Sequence, residues 1–290
     1  MIETVAAHIP TLSKHPLPEG ACDCHTHIFG PLDQFPTGKS SYAIPIARPE
    51  VYEDYLSKSG FARGVIIQPA PYGQDTSALM HALDYFKNQL RGIAVADSSI
   101  SDDQLFQLNN AGIRGLRFIE KNDPRTNKPY SGSVGVAELK KLSPRMEKLG
   151  WQAHIWTQGH NISKVFNEIR NIEVPFVFDH MGHFDVTEGV NSIEFKELLN
   201  VLKDDRVWTK LSVCRVSSKP PFYEDLRPYH DRIIEQIPDR LLWGSDWPFV
   251  AMGDRSPDVG SLIDLFYEWV GDADVINRIF VANPKRLFDF

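Results

Sequence analysis

Apolar positions along this chain fall into two alternating textures. Short continuous runs, at 64–68, 91–96, 115–118, 151–156, 176–179, 207–212 and 241–244, carry little polar interruption. Between them lie longer stretches at 51–59, 76–88, 102–111, 136–149, 162–169, 193–202, 223–237 and 261–270, where apolar residues return every three or four positions. The first texture belongs to strands buried on both faces, the second to helices with one apolar stripe. Counting the segment that opens at Ala21, the pattern predicts eight strands, each followed by a helix. This alternation argues an α/β fold with a parallel sheet, and eight units in 290 residues argue a closed (β/α)8 TIM barrel. An open doubly wound sheet is the runner-up. It would lack its phosphate cradle, because no Gly-x-Gly-x-x-Gly follows the first strand and no Gly-Lys-Ser/Thr loop occurs.

Residues 1–20, broken by Pro10, Pro16 and Pro18, read as an arm laid over the fold, and residues 21–290 as a single barrel domain. The run 29–49 holds four prolines and two glycines, too broken for helix or long strand, and reads as a long loop in which Tyr42 is placed to fold back over a site. A hydrophobic share of 42% is ordinary for a globular protein. The net charge of −7 argues against a nucleic-acid surface or an anionic membrane as partner, so an acidic ligand would need arginines concentrated locally. Three cysteines, two of them in Cys22-Asp-Cys24, make neither a disulfide framework nor a four-cysteine zinc site. With no basic start followed by an apolar run and no membrane-length apolar stretch, a cytoplasmic protein is the expectation.

Active sites of such barrels lie at the C-terminal ends of the strands. Those positions hold His25 and His27 on the first strand, Arg117 on the fourth, His154 and Trp156 on the fifth and His180 after the sixth; Lys210 and Arg215 belong to the seventh and Asp246 to the eighth. His25 and His27 are two apart, so a regular strand puts both on one face, roughly 6–7 Å apart. Such a pair can bind metal, carry a proton or donate to an oxyanion, and the spacing alone does not choose. Singly each residue has a structural explanation: buried histidines for the pair, a turn cap for Asp246. Together, His25, His27, His180 and Asp246 at one barrel mouth read as a carboxylate tuned by imidazoles, either a metal ligand or a base. Arg117 and Arg215 offer guanidinium forks to a substrate carboxylate. Water activation by Asp246 and polarisation of a carbonyl by histidines add up to hydrolysis of an acyl compound.

Four motifs, Asp23-Cys-His25-Thr-His27, Asp179-His180-Met-Gly182, Trp243-Gly-Ser-Asp246-Trp-Pro248 and Asn283-Pro-Lys-Arg-Leu287, resemble the amidohydrolase superfamily. The resemblance lies within its lactone-acting group, typified by the 2-pyrone-4,6-dicarboxylate lactonase family, and runs from Cys22 over nearly the whole chain. It implies a small anionic lactone as substrate and no metal, with Asp246 as base and His25, His27 and His180 around the lactone carbonyl. It also implies Tyr42, Arg117 and Arg215 on substrate carboxylates. Where that group has a second arginine in a short loop, this chain has Arg125 in a longer one, and Trp156 stands where a tyrosine is expected, so the substrate itself stays open. For the cofactor the alternative is one zinc at His25, His27, His154 and Asp246, with His180 as proton carrier. Other readings on the same scaffold are an isomerase of aldaric-acid lactones, a zinc-dependent decarboxylase, and a barrel that only binds an acidic ligand.

Overall fold

The structure is a computed structural model that describes residues 3–290. Eight strands lie side by side in chain order and all neighbours are parallel: β1 (Cys22–Thr26), β2 (Arg63–Ile67), β3 (Leu90–Ala94), β4 (Ile113–Glu120), β5 (Gln152–Thr157), β6 (Phe176–Phe178), β7 (Val207–Leu211) and β8 (Leu241–Trp243). The barrel closes just beyond β8, where the Asp246 N–H donates to the His25 carbonyl at 2.8 Å and the His27 N–H to the Trp247 carbonyl at 2.9 Å. Closure therefore uses the backbone of the same residues that the sequence singles out for chemistry. A Cβ at Gly244 would stand 2.7 Å from the Cβ of His25, so only glycine lets the two ends of the sheet meet.

Helices α1 (Pro49–Ser59), α2 (Ser77–Phe86), α3 (Asp102–Asn110), α4 (Val136–Lys148), α5 (Ile162–Ile169), α6 (Ile193–Val201), α7 (Arg227–Gln236) and α8 (Val259–Val270) surround the sheet. Where their ends depart from the periodicity, local chemistry is the reason. Helix α1 starts two residues earlier because Pro49 fits a first turn that needs no N–H donor. The carboxylate of Asp258 caps α8 by accepting from Ser261 N–H. Helix α7 starts four residues later, since Tyr223 takes a positive φ of 59° and a short 3₁₀ turn intervenes.

Two apolar layers hold the barrel. The outer one packs helices on strands, with Ile162, Val165 and Ile169 of α5 buried at the spacing of one helix face. The inner one fills the lower lumen with Cys22, Cys24, Val65, Ile67, Ile93, Val177, Trp208 and Leu242, sealed by Phe288 from a C-terminal helix (Asn283–Phe288). Above this plug the lumen turns polar. All three cysteines are free and buried. Within the arm, Thr4–Ala6 pairs with Ile44–Ile46 of the long loop, and the His8 carbonyl accepts from Trp247 Nε1 at 2.6 Å. No helix among the described residues is long and apolar enough to cross a membrane.

Candidate active site

Asp246 stands at the floor of the barrel mouth, 2% exposed. Its Oδ1 lies 3.3 Å from His25 Nε2 and 3.2 Å from His27 Nε2, and its Oδ2 accepts from Arg215 Nε. The backbone at Asp246 has φ +66°, and His180 opposite has φ +53°, left-handed conformations that non-glycine residues adopt at a cost and that concentrate at functional sites. Burial alone would raise the Asp246 pKa. The Arg215 charge, then His180, His27 and His25, holds it well below the usual carboxylate range. Burial pushes His180 well below its ordinary value and, with the Lys210 charge, brings His25 down to about 3, so both rings are neutral. His27 Nδ1 is 2.7 Å from the Ile67 carbonyl, which only accepts, so that nitrogen carries the proton.

How His25 comes to face this point is not a matter of simple alternation. Cys22 and Cys24 line the lumen, and a register shift between Asp23 and Thr26 re-aims the chain, so that His25 and His27 meet ring to ring at 5.1 Å. Asp23 fixes that bend, accepting from Tyr55 Oη, Ser245 Oγ, Ser245 N–H at 3.0 Å and His25 N–H at 3.1 Å. Burial nevertheless raises its carboxyl to about 6.

Beneath the floor lies a second charged layer. Lys210, fully buried on β7, is 2.9 Å from Asp179 Oδ1 and 3.1 Å from His25 Nδ1, and Arg117 Nη2 reaches Asp179 Oδ2 at 3.6 Å. Lys210, chiefly, holds Asp179 ionised against the cost of burial. At the mouth itself the lining sets two carboxylates (Asp123, Asp246) against five cations (Arg117, Lys121, Arg125, Arg215, Arg255). In a chain of net charge −7 the site is locally positive, which suits an anionic ligand. Above it opens a pocket of about 400 Å³ lined by His27, Tyr42, Arg117, Trp156, His180, Arg215 and Asp246 among others.

The family pattern described as Amidohydrolase matches residues 22–290. The chain belongs to the amidohydrolase family. This amidohydrolase, a hydrolytic enzyme, is 34% identical to a 2-pyrone-4,6-dicarboxylate hydrolase of Comamonas testosteroni, over 96% of this chain and 93% of that protein. It is 32% identical to a 4-sulfomuconolactone hydrolase of Rhizobium radiobacter, over 94% and 91%. It is 23% identical to a D-galactarolactone isomerase of Agrobacterium fabrum, over 99% and 97%. Among solved structures, one from Agrobacterium tumefaciens superposes with a TM-score of 0.85 at 23% identity, covering 97% of both chains, and shares the fold.

Of the residues named from the sequence, His25, His27, His180, Asp246, Arg117, Arg215, Tyr42 and Trp156 come together in this amidohydrolase. Arg125 also lines the pocket, from an exposed loop where its guanidinium donates to the Ser41 carbonyl. His154 does not reach the pocket: it points into the same lumen as Trp156 but one layer lower, its ring 5.9 Å from that of Phe288. The zinc set His25, His27, His154 and Asp246 is therefore not assembled. A different trio is: His25, His180 and Asp246 each offer a ligand atom within 4.8 Å of the others, and His25 Nε2 and His180 Nδ1 are buried without hydrogen-bond partners. These donors fit a divalent ion.

The coupling of Lys210 to His25 has one signal in the sequence, a lysine at an inward strand position two after Trp208. Lys121 and His183, 2.8 Å apart in the pocket wall, carry no such signal, because separate loops bring them together.

Proposed function

We propose that the protein hydrolyses the ring ester of a lactone bearing a carboxylate, with Asp246 as the base that activates water. The observation that carries this reading is the buried Asp246 carboxylate, ionised and flanked by His25, His27 and Arg215 at the floor of a positive pocket. The relatives add support: two are hydrolases of acidic lactones.

In this reading a water placed beside Asp246 attacks the lactone carbonyl, and the carboxylate takes its proton. The imidazoles of His25, His27 and His180 supply polar contacts to the carbonyl as charge develops on it. Arg215 spends Nε on Asp246 and Nη1 on the Val250 carbonyl at 2.9 Å, which leaves Nη2 for the substrate's carboxylate. An anion there shares the guanidinium charge, so Asp246 becomes more basic in the complex than in the free protein. Tyr42 and Arg117 line the same space and complete the grip. Lys210 and Asp179 hold His25 in orientation from below.

A divalent ion, when bound, would be held by His25, His180 and Asp246 and would supply Lewis-acid polarisation of the carbonyl. We favour the metal-free reading because Arg215 already places a fixed cation on Asp246 and because Trp156, not a histidine, is the β5 residue that lines the pocket. Elemental analysis of protein purified without added metal, paired with turnover of acidic lactones before and after a chelator, tests this. Substoichiometric metal and unchanged ring opening are expected; one ion per chain and loss of turnover overturn the metal-free mechanism. A rearranged lactone instead of a ring-opened acid overturns hydrolysis in favour of the isomerisation named for the Agrobacterium fabrum relative.

A further inference from the structure

His25 and His27 look equivalent in the sequence, but their Nδ1 atoms meet opposite partners. His27 Nδ1 faces the Ile67 carbonyl at 2.7 Å, which only accepts. His25 Nδ1 faces the Lys210 ammonium at 3.1 Å. An ammonium only donates, so this nitrogen accepts and His25 carries its proton on Nε2. Lys210 is held in place and in its charged form by Asp179 Oδ1 at 2.9 Å, and both side chains are fully buried. The far end of the ring makes the same demand. His25 Nε2 lies 3.3 Å from Asp246 Oδ1, where a lone pair would oppose the carboxylate and an N–H suits it.

A metal ligand needs the reverse arrangement. An imidazole binds a cation through the lone pair of one nitrogen and donates its other N–H to a carboxylate or a carbonyl. His27 has such a rear contact in the Ile67 carbonyl. An acceptor for His25 also stands close, Asp179 Oδ1 at 3.4 Å from Nδ1, but Lys210 pairs with that oxygen and turns a donor on the ring. His25 is one of the three side chains with the spacing for a divalent ion. One lysine therefore stands between this trio and a liganding tautomer.

We infer that Lys210 is a positioning residue: it locks His25 as an Nε2–H donor facing Asp246 and thereby keeps His25, His180 and Asp246 from taking up a divalent metal ion. This rests on the metal-free reading of the site. The lock is a choice of which ring nitrogen of His25 holds the proton, and it is set from the side of the ring that faces away from Asp246. Removing the lysine frees Asp179 Oδ1 to accept from Nδ1–H, which places a carboxylate behind a liganding imidazole.

The experiment has two arms. In the first, nitrogen NMR of the unsubstituted full chain with isotope-labelled histidine reads the tautomer directly, His25 being assigned by its loss in His25→Gln. His25 should show a protonated Nε2 and an unprotonated Nδ1; a protonated Nδ1 overturns the lock. In the second, zinc is titrated in competition with a chromophoric chelator into the full chain, Lys210→Met and Lys210→Arg, with folding checked by circular dichroism. Lys210→Met should bind one zinc about 10- to 100-fold more tightly than the unsubstituted protein, the usual size of a contact behind a liganding histidine. Adding His180→Asn should abolish that gain, and Lys210→Arg, which keeps a donor-only cation in place, should show none. Equal zinc affinity with and without Lys210, a gain that survives His180→Asn, or an equal gain in Lys210→Arg overturns the lock while leaving the metal-free reading in place. Tight zinc binding to the unsubstituted protein that His180→Asn removes overturns the metal-free reading, and the lock with it. Should Lys210→Met fail to fold, the tautomer read in the first arm decides.

Discussion

The floor and the wall of the pocket are built on opposite principles. On the floor every charge has a partner: Asp246 has Arg215 and two imidazoles, and Asp179 has Lys210 and Arg117. These groups ride on β1, β4, β6, β7 and β8 or the residues just after them, and the hydrogen bonds that close the barrel fix their backbones. The wall holds Lys121 and His183 on loops, with donors that lack acceptors. The difference lies in charge pairing: the floor sets each carboxylate against a cation, which holds its geometry as reaction chemistry needs, whereas the wall sets an ammonium against a neutral ring.

The sharpest way to break the floor is Asp246→Asn. Removing the base should lower kcat by about 10³-fold or more on any acidic lactone turned over, while the fold, read by circular dichroism, persists. Retention of a tenth of the activity would show that Asp246 is not the base.

Next in size is Lys210→Met, which leaves Asp179 buried with Arg117 at 3.6 Å as its one remaining cation among the described residues and the neutral His25 ring at 3.4 Å. We expect a loss of about 3 kcal/mol in denaturant unfolding and partial recovery in the Lys210→Met/Asp179→Asn double variant. A near-neutral single variant would mean that the lower layer is not an obligatory ion pair.

Arg215→Ala should chiefly raise KM for acidic lactones, by about 10- to 100-fold, with a smaller fall in kcat. Losses in kcat alone would assign Arg215 to the reaction rather than to substrate.

The pH dependence of stability is a smaller effect that reports on floor and wall together. His25 and His183 are held neutral down to about pH 3, whereas the unfolded chain protonates them near 6.5, so the folded state loses stability as pH falls across that window. Asp23, raised to about 6, works the other way over roughly pH 4 to 6. Two histidines against one acid predict a lower Tm at pH 4.5 than at pH 7, and Asp23→Asn should widen the gap. A flat profile would show that the rings are not buried neutral. Smallest of all, Arg125→Ala should change KM by no more than about threefold, because its guanidinium is exposed and tied to the Ser41 carbonyl.

The eight strand–helix units were legible in the sequence because each carries its own periodicity. Strand β6 and helix α5 fall where their apolar positions put them, and boundary differences such as the start of α1 trace to single capping residues. Much of the floor was legible too, since a residue one or two past a buried run is bound to face the barrel mouth. His154 shows where that logic stops. Strand periodicity tells which face a side chain takes but not how deep it lies, and two residues of rise separate the pocket from the plug around Phe288.

The sequence by itself determined the barrel, the strand ends on which chemistry must sit, and the residue types gathered there. The tertiary structure alone decided the pairings. It set Arg215 on Asp246, Lys210 under His25, and Lys121 beside His183, because each pair joins segments 31, 185 or 62 residues apart. Local pattern carries no information about such distances, which only closure of the sheet and the packing of its loops can fix.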